Sequence, residues 1–350
     1  MTLTERLDVL SELGQYLQSG GDAELDAVIQ RAESENRWFT AENTREALKA
    51  IADAFLDRDK LVAWTQAYPV PVQPFPAKTI GVVMAGNIPL VGFHDWLCIF
   101  VCGYRARVKL SEKDKALLPF LVKKMGEWAP ESWAYTEFLS EGDRMTGIDA
   151  MIATGSNNSA RYFEQYFAQY PHIIRRNRNA VAVLSGQETT AEMYALGRDI
   201  FAYFGLGCRN VSKLYVPRGY QFDALLEALH AYREIVNHDK YKNNFDYNLT
   251  LLLLNNVPYH NNGCLLLHED PSLLSRIASL HYEYYESPAD LEQKLAVRQD
   301  EIQCVIGNLS LKNLPILQFG HSQQPGLRDY PDGVDVMGFL CSLELNKASF

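Results

Sequence analysis

From residue 79 to residue 217 the sequence alternates between short apolar runs and longer amphipathic runs. The run TIGVVMAG (79–86) predicts a strand, and IPLVGFHDWLCIFVCGY (88–104) predicts the helix that follows it. Strands that alternate with helices at this spacing predict βαβ units. The chain is therefore expected to be an α/β protein whose mostly parallel sheet is covered by helices on both faces. Further strands are predicted at 105–111, 133–140, 150–156 and 179–185, with one closing at Pro217, and further helices at 115–129, 159–170 and 189–205.

The segments on either side of this alternation differ in character. Residues 1–68 predict three amphipathic helices, the third spanning 43–68, and a proline-rich extended connector follows at 69–76. The tail at 316–340 mixes glycine, proline and aspartate with aromatic residues, which predicts a structured loop. Between Pro217 and this tail, helices are predicted at 222–238, 241–256 and 289–302, and strands at 264–270 and 277–287.

Composition excludes several classes of partner. The net charge is -10, and the longest basic patch is the short stretch 175–178, so a nucleic-acid partner is not expected. The longest apolar stretch, 88–101, is interrupted by His94 and Asp95 and is too short for a membrane span. The six cysteines contain no CxxC pair, which fits a reduced cytoplasm better than a disulfide framework.

Asn87 follows the first predicted strand, in the segment MAGNIPL. In an open α/β sheet, ligands bind beyond the carboxyl ends of the strands, so its side-chain amide could donate a hydrogen bond into a cleft. The alternative is that Asn87 only caps the next helix.

Two later strand ends carry the predicted cofactor-binding residues. Lys109, Ser111 and Glu112 follow the second strand; the lysine could hold a ribose or phosphate and Glu112 could accept from ribose hydroxyls, or the segment is a solvated loop. Gly155 and Ser156 precede a helix whose free N–H groups suit a pyrophosphate, or Ser156 is a plain N-cap. The dinucleotide fingerprint GxGxxG is absent from the chain.

Cys208 lies where a helix-like run ends in Gly205-Leu206-Gly207 and a strand follows. It is either a nucleophile or a small buried hydrophobic residue. A lone cysteine is usually the second; the glycines, the neighbouring Arg209 and the absence of a partner cysteine are the features that point towards the first. No metal is expected, because the eight histidines form no HExxH motif and no Cys/His cluster. His94, His238 and His321 are candidate acids or bases, or structural residues.

In this order, the segments resemble the aldehyde dehydrogenase superfamily, and most closely its acyl-CoA reductase branch, the fatty-acid reductase component of bacterial luminescence systems and its relatives. The matching segments, spanning roughly 78–340, are VVMAGNIPL, RARVKLSEKD, MIATGSNNSARYF, RNAVAVLSG, FGLGCRNVSKLYVP and FGHSQQPGLRDYPDGVDVMGFL. The last two are the more specific to that branch. The resemblance implies a Rossmann-type cofactor domain and an α/β catalytic domain with the active site in the cleft between them.

The implied domains are 1–178 for the N-terminal helices and the cofactor, 179–335 for the catalytic cysteine, and 336–350 for a tail that packs back on the fold. The implied roles follow by position. Cys208 matches the nucleophile, and Asn87 matches the asparagine of the oxyanion hole. Lys109 and Glu112 match the pair that holds the adenosine ribose, with Ser111 between them. Gly155 and Ser156 match the turn under the pyrophosphate.

The departures from the superfamily narrow the implied reaction. Hydrolytic members use a glutamate in an ELGGK segment to activate water, whereas the matching stretch here, 174–178, has no acid. The basic residues 175–178 could contact coenzyme A phosphates, or form a solvated loop. The second glutamate motif, E-x-F-G-P, which holds the nicotinamide ribose, has no clear match. The missing water-activating glutamate favours acyl exchange with a thiol over oxidation to a free acid, and the missing second motif leaves half of the cofactor contacts unassigned.

The resemblance therefore implies a cytoplasmic reductase, as a monomer or a homo-oligomer, that converts an acyl-CoA or acyl-carrier-protein thioester to an aldehyde through an acyl-cysteine. Its cofactor is NADPH or NADH: the branch is associated with NADPH, whereas Glu112 would repel a 2′-phosphate. The alternatives are a CoA-acylating dehydrogenase of short aldehydes, a cysteine acyltransferase or thioesterase without a nicotinamide cofactor, and a non-catalytic partner subunit.

Overall fold

The computed structural model describes residues 1–71, 76, 78–311 and 315–345. The chain divides into two compact units, Met1–Asn177 with Pro325–Phe350, and Arg178–Gln324. Residues 72–75 and 77 lie outside the described part, and with them half of the predicted connector at 69–76; the last five residues of the chain also lie outside it. No helix in the described part is both long and apolar enough to span a bilayer.

The first unit begins with four capped helices, α1 (Leu3–Gln18), α2 (Ala23–Glu35), α3 (Ala41–Phe55) and α4 (Arg58–Thr65). The third predicted helix is therefore two helices. The break falls at Leu56 and Asp57, where the Asp57 carboxylate accepts a hydrogen bond from the Lys60 amide (2.9 Å) and caps α4.

A five-stranded parallel sheet forms the rest of this unit, in the order β3-β2-β1-β4-β5. Its helices are α5 (Phe93–Val101), α6 (Leu117–Trp128) and α7 (Asn157–Tyr166). The predicted alternation of strand and helix is confirmed, although β5 was not predicted. The strands are β1 (Thr79–Val83), β2 (Arg105–Lys109), β3 (Thr136–Phe138), β4 (Ala150–Thr154) and β5 (His172–Arg175).

The second unit contains a seven-stranded sheet in the order β12-β11-β6-β7-β10-β9-β8, parallel except for the β8–β9 pair. Its helices are α8 (Thr190–Phe201), α9 (Asp223–His230), α10 (Asp239–Leu254) and α11 (Pro288–Val297). Its strands are β6 (Asn179–Val183), β7 (Val211–Pro217), β8 (His260–Asn261), β9 (Leu266–Glu269), β10 (Ser279–Tyr285), β11 (Ile302–Gly307) and β12 (Ile316–Leu317).

The C-terminal segment differs from its prediction in two ways. Residues 325–335, placed by the sequence with the catalytic domain, lie in the first unit, because Leu327 and Tyr330 join its core and the Trp64 indole donates to the Tyr330 hydroxyl (2.9 Å). The end of the predicted loop is instead helix α12 (Val336–Leu345). Val336 and Leu340 are fully buried one helical turn apart, and this spacing favours a helix over a loop.

Candidate active site

The predicted binding residues of the first unit follow the three central strands of its sheet. We call the loops after β1, β2 and β4, at residues 84–92, 110–114 and 155–156, the carboxyl edge. In this sheet, β2 and β3 lie on one side of β1, whereas β4 and β5 lie on the other side, so the strand order reverses between β1 and β4. Such a switch point is where open α/β sheets bind ligands.

The first two loops of the carboxyl edge touch each other. A Cβ atom on Gly86 would lie 2.6 Å from the Ser111 hydroxyl oxygen, so only glycine fits there. The Met84 amide donates to the Lys109 carbonyl (3.1 Å), which extends the β1–β2 pairing by one residue. Asn87, beside Gly86, is half-buried. The structure thus brings the Asn87 loop and Ser111 together.

Asn87 does not cap the helix that follows it. Helix α5 begins at Phe93, and its N-cap is Gly92, which has no capping side chain. The capping alternative is therefore wrong for Asn87. The helix predicted at 88–104 begins only at Phe93 because Leu90 has φ 57°, a left-handed conformation that a helix cannot include.

Asp114, which no sequence motif marks, stabilises the loop at residues 84–92. Its carboxylate accepts a hydrogen bond from the Leu90 amide (2.8 Å). Burial raises the pKa of Asp114 to about 6. The carboxylate lines a small, mostly apolar cavity together with Met84, Leu90 and Leu110. No local sequence pattern marks this residue, because its partner lies 24 positions earlier.

The remaining residues of the carboxyl edge are exposed. Lys109 is the last residue of β2, and both it and Glu112 face solvent. Ser156 is the N-cap of α7, since its hydroxyl accepts from the Ser159 amide (3.2 Å), so the N-cap reading is confirmed. Capping satisfies one of the unpaired amides in the first turn and leaves others for an anion.

Arg175 is neither a solvated residue nor one available to coenzyme A. It is the last residue of β5, it is 3% exposed, and its guanidinium forms an ion pair with the buried Asp95 of α5. Its neighbour Arg176 is exposed and pairs with Glu164 (2.6 Å). The predicted role for the stretch 175–178 is therefore wrong at Arg175, whose partner lies 80 positions away.

His94 is also a packing residue. It is buried, its Nε2 lies 3.0 Å from the Leu327 carbonyl oxygen, and its ring packs against Phe55, Trp64 and Tyr330 at centroid distances of 5.1, 6.0 and 5.4 Å. The ring therefore ties α5 to the segment after residue 325.

In the second unit, Cys208 lies in a tight connection between α8 and β7. We call residues 202–210 the Cys208 turn. Tyr203, Phe204 and Gly205 all have positive φ (50°, 60° and 77°), which is costly for the two aromatic residues. The Cys208 thiol is half-buried and forms no disulfide. Cys98, Cys102, Cys264 and Cys341 are, by contrast, fully buried.

Asn210 holds the Cys208 turn together from inside. It is 2% exposed. Its side-chain oxygen accepts from the Gly207 amide (2.8 Å). Its side-chain nitrogen donates to three carbonyls at the end of α8, those of Asp199 (3.1 Å), Ile200 (3.4 Å) and Ala202 (2.8 Å). One side chain thus fixes both the helix end and the residue before the cysteine.

Asp199 connects the same helix end to the loop that follows β12. It is 1% exposed, and its carboxylate accepts from the amides of Gly320 (2.6 Å) and Ser322 (2.9 Å). Burial raises its pKa. Arg209 makes a second link, from its guanidinium to the Ser322 carbonyl (3.3 Å). His321 lies in this linked loop, and its Nδ1 faces the Phe319 carbonyl (3.0 Å).

His238 lies against the same turn. Its ring packs on Phe204 with a centroid distance of 4.4 Å, and its Nδ1 accepts from the Tyr241 amide (3.4 Å) as the N-cap of α10. Of the three histidines named from the sequence, His238 and His321 therefore belong to the surroundings of the Cys208 turn, whereas His94 belongs to the core of the first unit.

The sequence analysis missed one group of possible metal ligands. Within the described ranges, His268, Asp270 and His281 offer ligand atoms within 4.8 Å of one another. Burial lowers the pKa of His268 to about 4 and also lowers that of His281. However, the buried Lys213 ammonium donates to the Asp270 carbonyl (3.0 Å) and pairs with Glu283 (2.6 Å). Because this charge opposes a second cation, we assign no metal to the group.

The comparisons with known proteins bear on this arrangement. No protein-family model matches the sequence. Over 88 residues, the chain is 33% identical to the N-succinylglutamate 5-semialdehyde dehydrogenase of Vibrio cholerae serotype O1, a match that covers 24% of this chain and only 18% of that protein.

Solved structures are similar over much more of the chain. Aldehyde dehydrogenase 21 from Physcomitrella patens superposes with a TM-score of 0.71 at 12% identity, covering 98% of this chain and 84% of that one. An NAD-dependent aldehyde dehydrogenase from Sinorhizobium meliloti gives 0.66 at 12% identity, covering 90% and 71%. An NAD+ complex of an aldehyde dehydrogenase from Bacillus cereus gives 0.60 at 13% identity, covering 89% and 72%. The predicted fold class is confirmed: this chain has the aldehyde dehydrogenase fold.

Proposed function

We propose that this protein reduces an acyl thioester, carried by coenzyme A or an acyl-carrier protein, to an aldehyde through an acyl intermediate on Cys208. The observation that carries the proposal is the Cys208 turn, in a chain with this fold: Cys208 is half-buried, and the buried Asn210 accepts a hydrogen bond from the amide of Gly207 just before it. A nucleophile must be fixed in place, and these hydrogen bonds fix the backbone that leads into Cys208.

A thioester product or substrate is favoured over a free acid. The stretch 174–178, which matches the water-activating segment of hydrolytic relatives, contains no carboxylate. Arg175 within it is committed to Asp95 in the core. Without a base at this position, water is a poor competitor for the acyl group, and a thiol remains the natural donor and acceptor.

The carboxyl edge fits a dinucleotide. Gly86 and Gly155 keep the loops of this edge close to their neighbours, since a Cβ on Gly86 would lie 2.6 Å from the Ser111 hydroxyl oxygen and one on Gly155 would lie 2.8 Å from the Ser159 Cβ. We propose that Lys109, Ser111 and Glu112 hold the adenosine ribose and that Gly155 and Ser156 hold the pyrophosphate. When bound, NADPH or NADH supplies the hydride that reduces the acyl group.

The chain's own residues perform the acyl transfer. The Cys208 thiolate attacks the thioester carbonyl carbon, and the Asn87 side-chain amide stabilises the oxyanion that forms. The carbon–sulfur bond to Cys208 forms first, and collapse of the oxyanion then breaks the bond to the leaving group, which departs as a thiolate and takes a proton from solvent. After reduction, the bond to Cys208 breaks, which releases the aldehyde and regenerates the thiolate.

The test is an assay of purified protein with a series of acyl-CoA substrates and NADPH or NADH, following loss of reduced cofactor and formation of aldehyde. Cys208→Ala should abolish turnover. Cys304→Ala is the matched control, because Cys304 is the other half-buried cysteine of this unit, and it should retain turnover. Full activity in Cys208→Ala would refute the assignment.

The reverse direction is a second candidate. CoA-dependent oxidation of a short aldehyde would use the same residues, and the partial match to a relative named for a semialdehyde makes an aldehyde substrate worth testing. An assay with short aldehydes, CoA and oxidised cofactor separates the two: faster turnover in this direction would replace the reductase proposal.

A further inference from the structure

Asn210 lies next to the proposed nucleophile, yet it takes no part in the reaction as written. Its side chain makes two hydrogen bonds within the Cys208 turn, with Gly207 and Ala202, and two to the last turn of helix α8, with Asp199 and Ile200. A buried asparagine whose amide joins the end of a helix to the residue before a candidate nucleophile calls for an explanation beyond packing.

The charges at this turn suggest the explanation. The last carbonyls of a helix carry the negative end of its dipole, which is unfavourable for an anion nearby. Helix α8 ends at Phe201, and the Asn210 side chain donates to a carbonyl of its last turn, that of Asp199. The same side chain accepts from the amide of Gly207, one residue before Cys208. Left unpaired, those carbonyls would disfavour a thiolate on Cys208.

We propose that Asn210 is a positioning residue for Cys208 that also neutralises the end of α8. Its amide nitrogen covers the carbonyls of Asp199, Ile200 and Ala202, while its oxygen fixes the Gly207 amide and with it the entry of the chain into Cys208. Two further hydrogen bonds connect this region to the loop after β12: the Asp199 carboxylate accepts from the Ser322 amide, and the Arg209 guanidinium donates to the Ser322 carbonyl. The inference rests on the proposed function only in naming Cys208 as the reacting group.

The experiment measures the thiol directly. The intact protein is treated with iodoacetamide across a range of pH, and modification of Cys208 is followed by peptide mass spectrometry. Asn210→Ala should move the midpoint of the pH profile upward by about one unit, which makes alkylation about tenfold slower at neutral pH. Asn210→Asp should move it further, because a carboxylate then faces the carbonyls although the shape is nearly unchanged.

The matched control is Asn248→Ala. Asn248 is also a buried asparagine of the second unit, and its side-chain nitrogen donates to the Ile277 carbonyl (2.8 Å), away from Cys208. This variant should keep the wild-type profile even where it lowers the melting temperature. If Asn210→Ala does not fold, Asn210→Asp carries the test, since its carboxylate can still accept the Gly207 amide.

Two results would overturn the inference: a wild-type profile in the folded Asn210 variants, or an equal shift in Asn248→Ala. With acyl-CoA as substrate, Asn210→Ala should lower kcat and leave KM near its wild-type value. If the wild-type protein reduces no thioester while the Asn210 variants still shift the thiol profile, the proposed function fails and the positioning role stands.

Discussion

The carboxyl edge of the first unit and the Cys208 turn of the second are built in opposite ways. At the end of β2 and along the carboxyl edge, Lys109, Glu112 and Ser156 are exposed, while the half-buried Asp114 accepts a hydrogen bond from the Leu90 amide. In the Cys208 turn, the buried Asn210 accepts a hydrogen bond from the amide of Gly207, the residue before the candidate nucleophile. The difference teaches that groups which bind a ligand can stand in solvent, whereas a group that reacts must be fixed before the substrate arrives.

The largest expected effect is on stability, and it comes from the buried ion pair between Arg175 and Asp95 in the first unit. Arg175→Met would leave Asp95 as an uncompensated buried charge, and we expect it to lower the free energy of unfolding by about 3–5 kcal/mol. The matched control is Arg176→Met, which removes an exposed ion pair with Glu164 and should cost under about 1 kcal/mol. Denaturant unfolding measures both. Equal effects would show that the Arg175 pair is not part of the core.

Asn87 tests whether a residue of the carboxyl edge can act in the chemistry without supporting the fold. Asn87→Ala should lower kcat about 100-fold, as loss of an oxyanion donor does, with little change in stability. Ser156→Ala, by contrast, should lower the free energy of unfolding by about 1 kcal/mol, because it removes the N-cap of α7. A large loss of stability in Asn87→Ala with unchanged kcat would remove it from the proposed site.

Asp114 makes the stability of the carboxyl edge depend on pH. Burial raises the pKa of Asp114 from its ordinary value of 3.8 to about 6, so the folded state binds this proton more tightly than the unfolded chain. Its contribution to stability is therefore present below about pH 4 and is lost as the pH rises to about 6. Asn can still accept the Leu90 amide. Asp114→Asn should thus gain about 2–3 kcal/mol relative to wild type between pH 4 and pH 8.

The matched control for this pH series is Asp149→Asn, because Asp149 is exposed and its carboxylate also accepts a backbone amide, that of Thr79 (2.8 Å). Chemical denaturation at several pH values gives the difference in unfolding free energy for each pair. A difference for Asp114→Asn that does not change with pH would mean that this carboxyl is not desolvated in the folded protein.

Glu112 gives the smallest expected effect. As an exposed carboxylate proposed to face the adenosine ribose, it should repel a 2′-phosphate. Glu112→Gln should lower the KM for NADPH several-fold, by about 1 kcal/mol or less, and leave stability unchanged. Glu127→Gln, on an exposed turn of α6, is the control. An unchanged ratio of KM for NADPH and NADH would place Glu112 outside the cofactor site.

The sequence predicts what depends on local pattern. The strands before Gly86 and Gly155 and the helices between them follow from apolar periodicity and glycine placement, and the order of the strand-end motifs led to the correct fold. A short strand such as β5 was missed, and α12 was predicted as a loop, because the glycine and proline before it masked the apolar spacing of Val336 and Leu340.

The support of the site could not be predicted, because it depends on partners far apart in the chain. Arg175 reads as part of a basic surface patch until Asp95 is found beside it, and Asp114 has no signal until Leu90 adopts a left-handed turn. The role of Asn210 is partly local, since Gly207 is three residues away, but its burial against the end of α8 follows only from the fold.

The central claim is that Cys208 carries the acyl group. The most direct test is intact-protein and peptide mass spectrometry after mixing the protein with an acyl-CoA in the absence of reduced cofactor. We expect a single acyl adduct on Cys208, retained in Cys304→Ala, lost in Cys208→Ala and discharged when NADPH or NADH is added. An unmodified Cys208 under these conditions, or an adduct that persists after the reduced cofactor is supplied, would contradict it.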